Sequence, residues 1–241
     1  MKKYLLLLTF LSVIGNAQIV RKYSNEFLNI GAGARGLAMG GAVISNQNDV
    51  YAPMWNPAGL TEVESDWQGA AMHAEYFESI AKYDYISFAK ALDSKDGVLG
   101  ISIVRLGVDN ILNTTQMIDS EGNIDYDKIS KFSTSDYAGI ISYAFRPGGN
   151  QKLSVGINAK IVYRNIGKFA NGFGFGFDVG TIYRADSGYQ FGAMLRDATT
   201  TVNFWSINQK ELSAVVNGEE FNPAPKDKME ITMPKLNLGV S

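Results

Sequence analysis

From about Trp67 onward, hydrophobic residues recur at every second position, and the runs are separated by polar or Gly/Pro/Asn/Asp clusters. That period places alternate side chains on opposite faces of a strand. The clearest run is Lys152 to Arg164. Leu153, Val155, Ile157, Ala159, Ile161 and Tyr163 fall on one face, and Lys152, Ser154, Gly156, Asn158, Lys160 and Arg164 on the other, with only Val162 out of step. Gly172 to Arg184 repeats the rule, setting Phe173, Phe175, Phe177, Val179 and Tyr183 against Gly172, Gly174, Gly176, Asp178 and Gly180. Tyr189 to Arg196 follows it again. Weaker runs lie at Trp67 to Phe77, Tyr83 to Leu92, Val98 to Leu106, Asp136 to Arg146 and Met233 to Val240, about eight predicted strands in all.

Alternation alone fits two architectures: a soluble sandwich with its apolar face in a core, or a membrane barrel with that face in lipid and the polar face in the lumen. Three features favour the barrel. The best runs approach the ~9–11 residues of a spanning strand and exceed the ~5–6 common in soluble sheets. Tyr76, Phe77, Tyr143, Phe145, Tyr163, Tyr183 and Tyr189 collect near strand ends, as interfacial aromatics do. Closure would also remove the sheet edges. The connections are unequal, tight at Gly148-Gly149-Asn150 and Asp186-Ser187-Gly188 and long and polar at about 107–134 and 197–232. Pro223, Pro225 and Pro234 argue against continuous pairing around Phe221 to Met233. On this reading Ile157→Arg is costly and Asn158→Arg mild.

Composition adds a compartment. Lys2 and Lys3 precede an apolar run from Tyr4 to Ile14, and Gly15, Asn16 and Ala17 lead to a cut at Gln18, the layout of a secretory signal peptide. Losing Lys2 and Lys3 makes the chain two charges more acidic than its −2, which excludes a basic nucleic-acid surface. With no Cys, an exported chain cannot use disulfides. The 25 Gly, 12 Tyr and 13 Phe suit strands that alternate small lumen residues with aromatics.

Residues 24–66 differ in kind, rich in Gly and Ala without clean alternation. Gly31, Gly33 and Gly36 spell the G-x-G-x-x-G of dinucleotide-binding folds, but no βαβ unit surrounds them and the first acid to follow is Asp49. The alternative is a compact insert whose small residues let backbone pack against the wall, with Asn56-Pro57 fixing a turn and Gly59 relieving it. The rest of the chain offers little chemistry. His73 is the only histidine, so a His-based triad or a multi-His metal site within the chain would have to share that one residue. Asp119, Glu121, Asn123, Asp125 and Asp127 resemble a calcium loop, yet Gly122 sits at the fourth place and Ser130 at the twelfth, where Gly at the sixth and Glu are needed. Lys152, Lys160, Arg164, Asp178, Arg184 and Arg196 read as lumen charges that satisfy one another. Trp205 is compatible with an interface anchor or a partner contact.

The run Phe27-Leu28-Asn29-Ile30-Gly31-Ala32-Gly33-Ala34-Arg35-Gly36-Leu37-Ala38-Met39-Gly40-Gly41-Ala42, then Asn48-Asp49, then Trp55-Asn56-Pro57-Ala58-Gly59-Leu60, resembles the N-terminal signature of the PorV/PorQ family. Asn56-Pro57-Ala58 also resembles the hatch of FadL-type transporters. The resemblance implies an all-β, antiparallel transmembrane barrel with an N-terminal lumen hatch containing short helices. It divides the chain into a signal peptide (1–17), a hatch (18–66) and barrel strands (67–241). It also implies a non-enzymatic, cofactor-free component of type IX protein secretion and surface attachment in the outer membrane of Bacteroidetes. Its partners would be lipid, other secretion or attachment subunits and cargo proteins. A FadL-like channel for a hydrophobic ligand is the alternative. The hatch residues singled out are Gly31, Gly33, Arg35, Gly36, Met39, Gly40, Asn56, Pro57, Ala58 and Gly59. Such barrels have more strands than are read here, and Asn237 to Ser241 looks like a strand cut short, so a C-terminal truncation is expected.

Overall fold

The computed structural model describes residues 24–92, 97–119, 121–216, 219–221 and 228–241; the predicted signal peptide lies outside them. The core of the fold is one antiparallel sheet. Its strands are β1 (Trp67–Tyr76), β2 (Ala81–Ala91), β3 (Gly97–Asn113), β4 (Ser130–Phe145), β5 (Leu153–Ile166), β6 (Ala170–Arg184), β7 (Gln190–Arg196), β8 (Thr201–Ile207), β11 (Met229–Thr232) and β12 (Lys235–Val240). β9 (Ala214–Val216) and β10 (Glu219–Phe221) pair with each other separately. Neighbours in the chain are neighbours in the sheet from β1 to β7, and β12 then pairs with β7.

β6 carries two partners on one edge. Its C-terminal half pairs with β7 from Val179↔Leu195 and its N-terminal half with β8 from Phe175↔Val202. β7 and β8 are therefore one strand line interrupted at mid-length, where residues 196–201 face residues 176–178. β12 and β11 form the next line, paired at Lys235↔Arg196 and Thr232↔Thr201 across the same interruption. The ten strands of the sheet thus make eight lines, matching the number of runs read from periodicity. The polar stretch 197–232 is not wholly a connection, since it contains β8 and β11; Pro234 falls in the gap between β11 and β12. The other long connection shrinks to 114–129, because β3 and β4 extend into it on either side of a bulge between Val108 and Ile111. Among the described residues the sheet is open, with β1 paired only to β2 and β12 only to β7.

The two faces have the chemistry that alternation assigned, with one correction. Large apolar side chains project outward and uncovered: Ile86 is 60%, Ile101 59%, Ile141 58%, Ile161 53% and Phe175 50% exposed. The opposite face is buried, but it is not a wet polar lumen. Residues 24–66 lie on it, as four short helical turns at Glu26–Asn29, Ala34–Ala38, Ala52–Trp55 and Pro57–Glu62 with their connections. Beneath them Tyr83, Tyr85, Val104, Ile140 and Val162 form an apolar cluster with Phe27, Leu28, Val43, Met54 and Trp55. Val162 breaks the alternation because its inward side chain meets protein. Tyr76 belongs to this inner cluster too, whereas Tyr143, Tyr163, Tyr183 and Tyr189 stand on the exposed surface.

Asn158, expected to tolerate Arg, is fully buried; its amide donates to Pro53 O at 2.9 Å and its Oδ1 accepts from Ser142 at 2.7 Å. Asn158→Arg places an extra charge in a closed site. We expect it to abolish refolding in detergent, monitored by heat-modifiable gel mobility; recovery of wild-type mobility would contradict the inward placement.

Candidate functional site: a segment seated on glycines

The docked segment is organised around Trp55. Its indole N–H donates to Ala32 O at 2.7 Å, and the ring is almost wholly buried. A Cβ at Gly31 would lie 2.3 Å from the ring, at Gly36 2.7 Å and at Gly41 3.0 Å. Gly33 is held off Tyr51 in the same way, at 2.9 Å. Gly31 and Gly33 also adopt φ of +84° and +89°, a region costly for residues with a Cβ. The G-x-G-x-x-G spelling therefore makes a cradle for an aromatic ring, and the space a phosphate would need is filled by Trp55 and Tyr51.

The remaining motif residues have distinct roles. Gly40 (φ +60°) ends the helix Ala34–Ala38: its N–H bonds Leu37 O while the Gly41 N–H reaches Gly36 O, the double closure of a Schellman ending. Met39 is exposed on that turn. Arg35 bonds Asn46 O at 3.2 Å and Asn48 Oδ1 at 2.9 Å, bracing the following loop.

Asn56 ties the segment to the sheet. It ends the helix Ala52–Trp55 and caps the turn Pro57–Glu62, where its Oδ1 accepts from Ala58 N at 3.2 Å. Its amide donates to Ile44 O at 2.8 Å and to Thr181 O on β6 at 3.0 Å. Pro57 at the first position of the turn needs no N–H partner. The backbone here lies directly on sheet glycines. A Cβ at Gly156 would be 2.3 Å from Ala58 N, one at Gly180 2.0 Å from Asn56 Oδ1, and one at Gly192 2.4 Å from Ile44 O. Within the segment, Gly59 faces Gln47 O in the same manner, at 2.0 Å.

Charges fasten its margins. Glu62 Oε1 is shared by Arg146 at 2.5 Å and Arg184 at 2.6 Å. Arg196 donates to Leu28 O at 3.1 Å and Met54 O at 2.5 Å. Lys160 sits between Asp178 and Asp197, at 2.6 Å from each, with all three side chains nearly inaccessible. This triad occupies the interruption between β7 and β8, where Asp197 and Thr200 take positive φ. The other predicted lumen charges are likewise paired, Arg164 with Asp136 and Lys152 with Asp186. Trp205, on β8, lies under the Arg164 guanidinium at 5.2 Å.

His73 is engaged by Asp84 at 2.6 Å. In the acidic loop, Asp119 accepts from Asn123 and from the backbone of Glu121, which holds its carboxyl below the usual carboxylate range. No group of His, Cys, Asp or Glu among the described residues could hold a metal ion.

Sequence reasoning placed Trp55 within the signature run without singling it out as the pivot, and it missed Asp197, which lies just past a strand end with nothing local to mark it. No family model, curated protein or solved structure matches the chain. The site's geometry is that of a docked structural insert.

Two substitutions separate ring from amide. Trp55→Ala removes a buried indole and should cost about 3–5 kcal/mol. Asn56→Ala strands buried carbonyls and should cost about 1–3 kcal/mol. Urea unfolding in detergent measures both, and loss below about 0.5 kcal/mol for Trp55→Ala would refute its central role.

Proposed function

We propose that the chain is an exported outer-membrane protein of the PorV/PorQ type, its sheet forming part of a transmembrane barrel wall and residues 24–66 a fixed hatch. The observation that carries this reading is the inverted burial. A sheet of ten strands turns most of its large apolar side chains away from the protein, and toward the docked segment it turns Gly, Ser and Asn together with the local cluster around Tyr83, Tyr85 and Ile140. Contiguous apolar surface of this extent is incompatible with water and matches the lipid-facing band of a barrel. A barrel further requires the free edges of β1 and β12 to be paired. The apolar run with Lys2 and Lys3 at the N-terminus supports export.

Within that setting the chain acts as a non-enzymatic adaptor of type IX secretion and surface attachment, contacting other subunits and cargo through its connections. The way the hatch is fastened favours an adaptor over a channel. Asn56, Glu62 and the carbonyls of Leu28 and Met54 are bonded to Arg146 just past β4, to β6 or to the end of β7, so passage of a hydrophobic ligand would break all of these contacts at once.

Fractionation should recover the chain from outer membranes only with detergent, and pull-down from that extract should retrieve secretion or attachment subunits; recovery in plain buffer, or none of those subunits, would refute the respective half. Ile157→Arg, on the outward face of β5, should cost about 2–4 kcal/mol if it lies near the bilayer midplane. A cost near zero would place that face outside the hydrocarbon.

A further inference from the structure

The outward apolar band of the sheet is uneven in height. On β6 it runs from Tyr183 through Val179, Phe177 and Phe175 to Phe173, each 37% to 52% exposed, with Thr181 its one polar member. At ~3.4 Å per residue that is about 34 Å of strand, and at the ~40° tilt of barrel strands about 26 Å of height, a full lipid-facing band. On β2 the band is Ile86 and Phe88 alone, because the next outward side chains are Asp84 on one side and Lys90 on the other. On β1 only Gly69 and Ala71 separate Trp67 from His73, and on β3 Ile103 is followed outward by Arg105. The same conversion gives about 20 Å of strand from Asp84 to Lys90, and about 16 Å of height.

Both limits of the short band are marked. At the tight-turn end Trp67 lies opposite Lys90 and stacks on Phe88 at 6.2 Å, an aromatic beside a base, as at a membrane interface. At the other end Asp84 meets His73 at 2.6 Å and Arg105 at 2.9 Å, one from each neighbouring strand, and Lys82 meets Asp109 at 3.0 Å. All five side chains are open to the surroundings, from 32% to 55% exposed. Charges on a lipid-facing surface are costly at mid-bilayer and tolerated near the head groups. A guanidinium or ammonium already held by a neighbouring carboxylate is not free to snorkel toward a distant interface.

We propose that the flank formed by β1, β2 and β3 holds the bilayer thin beside it, with head groups and water drawn down to the ion-paired row. The inference rests on the membrane reading above and names the lipid arrangement that this part of the face requires. An apolar band shorter than the hydrocarbon is met by thinning of the bilayer, by snorkelling or by oligomerisation. The ion pairs block snorkelling. A partner protein would find little to hold there: Glu75, Asp84 and Asp109 are set against His73, Lys82 and Arg105, so the row balances its own charge, and Gly69 and Ala71 offer no side chain of any size. Lipid is therefore the occupant. The effect is one-sided, since β6 keeps the full height, and the hydrocarbon is thinnest beside β1.

The chain has no Cys, so single nitroxide labels can be placed through Ile86→Cys on β2 and Phe177→Cys on β6. Both residues lie near the middle of their bands with exposed side chains, so the protein interior is left untouched; heat-modifiable mobility verifies the fold, and Phe88→Cys replaces Ile86→Cys if that label disturbs it. The full chain is reconstituted in dioleoylphosphatidylcholine vesicles. Electron paramagnetic resonance then reads each label's collisions with oxygen, which concentrates in hydrocarbon, and with a water-soluble nickel chelate. We expect the oxygen-to-nickel ratio at 86 to fall severalfold below that at 177, and the two to converge in dilauroylphosphatidylcholine, whose bilayer is thin throughout. Equal ratios in the longer lipid would set both positions at the same depth and overturn the proposal. A label at 86 shielded from both reagents would also overturn it, by showing protein in place of lipid on the flank. Nickel access at 177 as high as in buffer would refute the membrane reading itself, and this inference with it.

Discussion

Gly156, Gly180 and Gly192 set the minimum distance between hatch and sheet at the thickness of two backbones. A methyl at any of the three would enter the backbone or the Asn56 amide, and neither can move aside as a flexible side chain does. This contact fixes the height at which the segment sits. Only at that height does the Asn56 amide reach Thr181 O on β6, and Glu62 reach Arg146 and Arg184. The same approach brings Trp55 onto the sheet cluster around Tyr85 and Val162.

Close approach excludes water, and that raises the demands on every polar group beneath the segment. The buried positions answer with paired groups: Ser142 with Asn158, Asn158 with Pro53 O, and Lys160 with Asp178 and Asp197. A buried ion pair contributes little net stability when compared with apolar packing, but removing one member leaves a charge uncompensated. The triad's contribution is therefore one of specificity. It pins the place where β7 gives way to β8, a stretch whose positive φ at Asp197 and Thr200 would otherwise relax. The outer face is apolar over most of its extent and gathers its ion pairs toward one end, where Asp84 meets His73 and Arg105 and Lys82 meets Asp109.

The sheet thus has its protein core on the side where alternation puts Gly, Ser, Asn and charge, and its large apolar residues on the other. In a protein that folds in water the positions would be exchanged. Small residues inside are adapted to backbone contact with the hatch, and the interior's aromatic content is supplied locally, by Tyr83 and Tyr85 on β2 and by Trp55 from the segment. This division is what the proposed barrel wall would need, a face for a docked segment and a face for lipid.

Period-two patterning by itself determined the number of strand lines and the facing of the strands it marked, because side-chain direction in an extended chain depends on nothing but position. Glycine spacing marked residues 24–66 as a region of close packing, and the missing βαβ context was enough to set aside a nucleotide. Tertiary structure alone decided what those glycines contact: Gly31, Gly36 and Gly41 converge on Trp55, an aromatic fourteen or more residues away in the chain. It also decided which inward positions the insert covers, which turned Asn158 from a tolerant position into a closed one and explained Val162. β8 escaped notice because its pairing is shared with β7 along a single edge of β6, an arrangement set by partners distant in sequence. Local pattern carries direction; it carries no information on which surface a distant segment will cover.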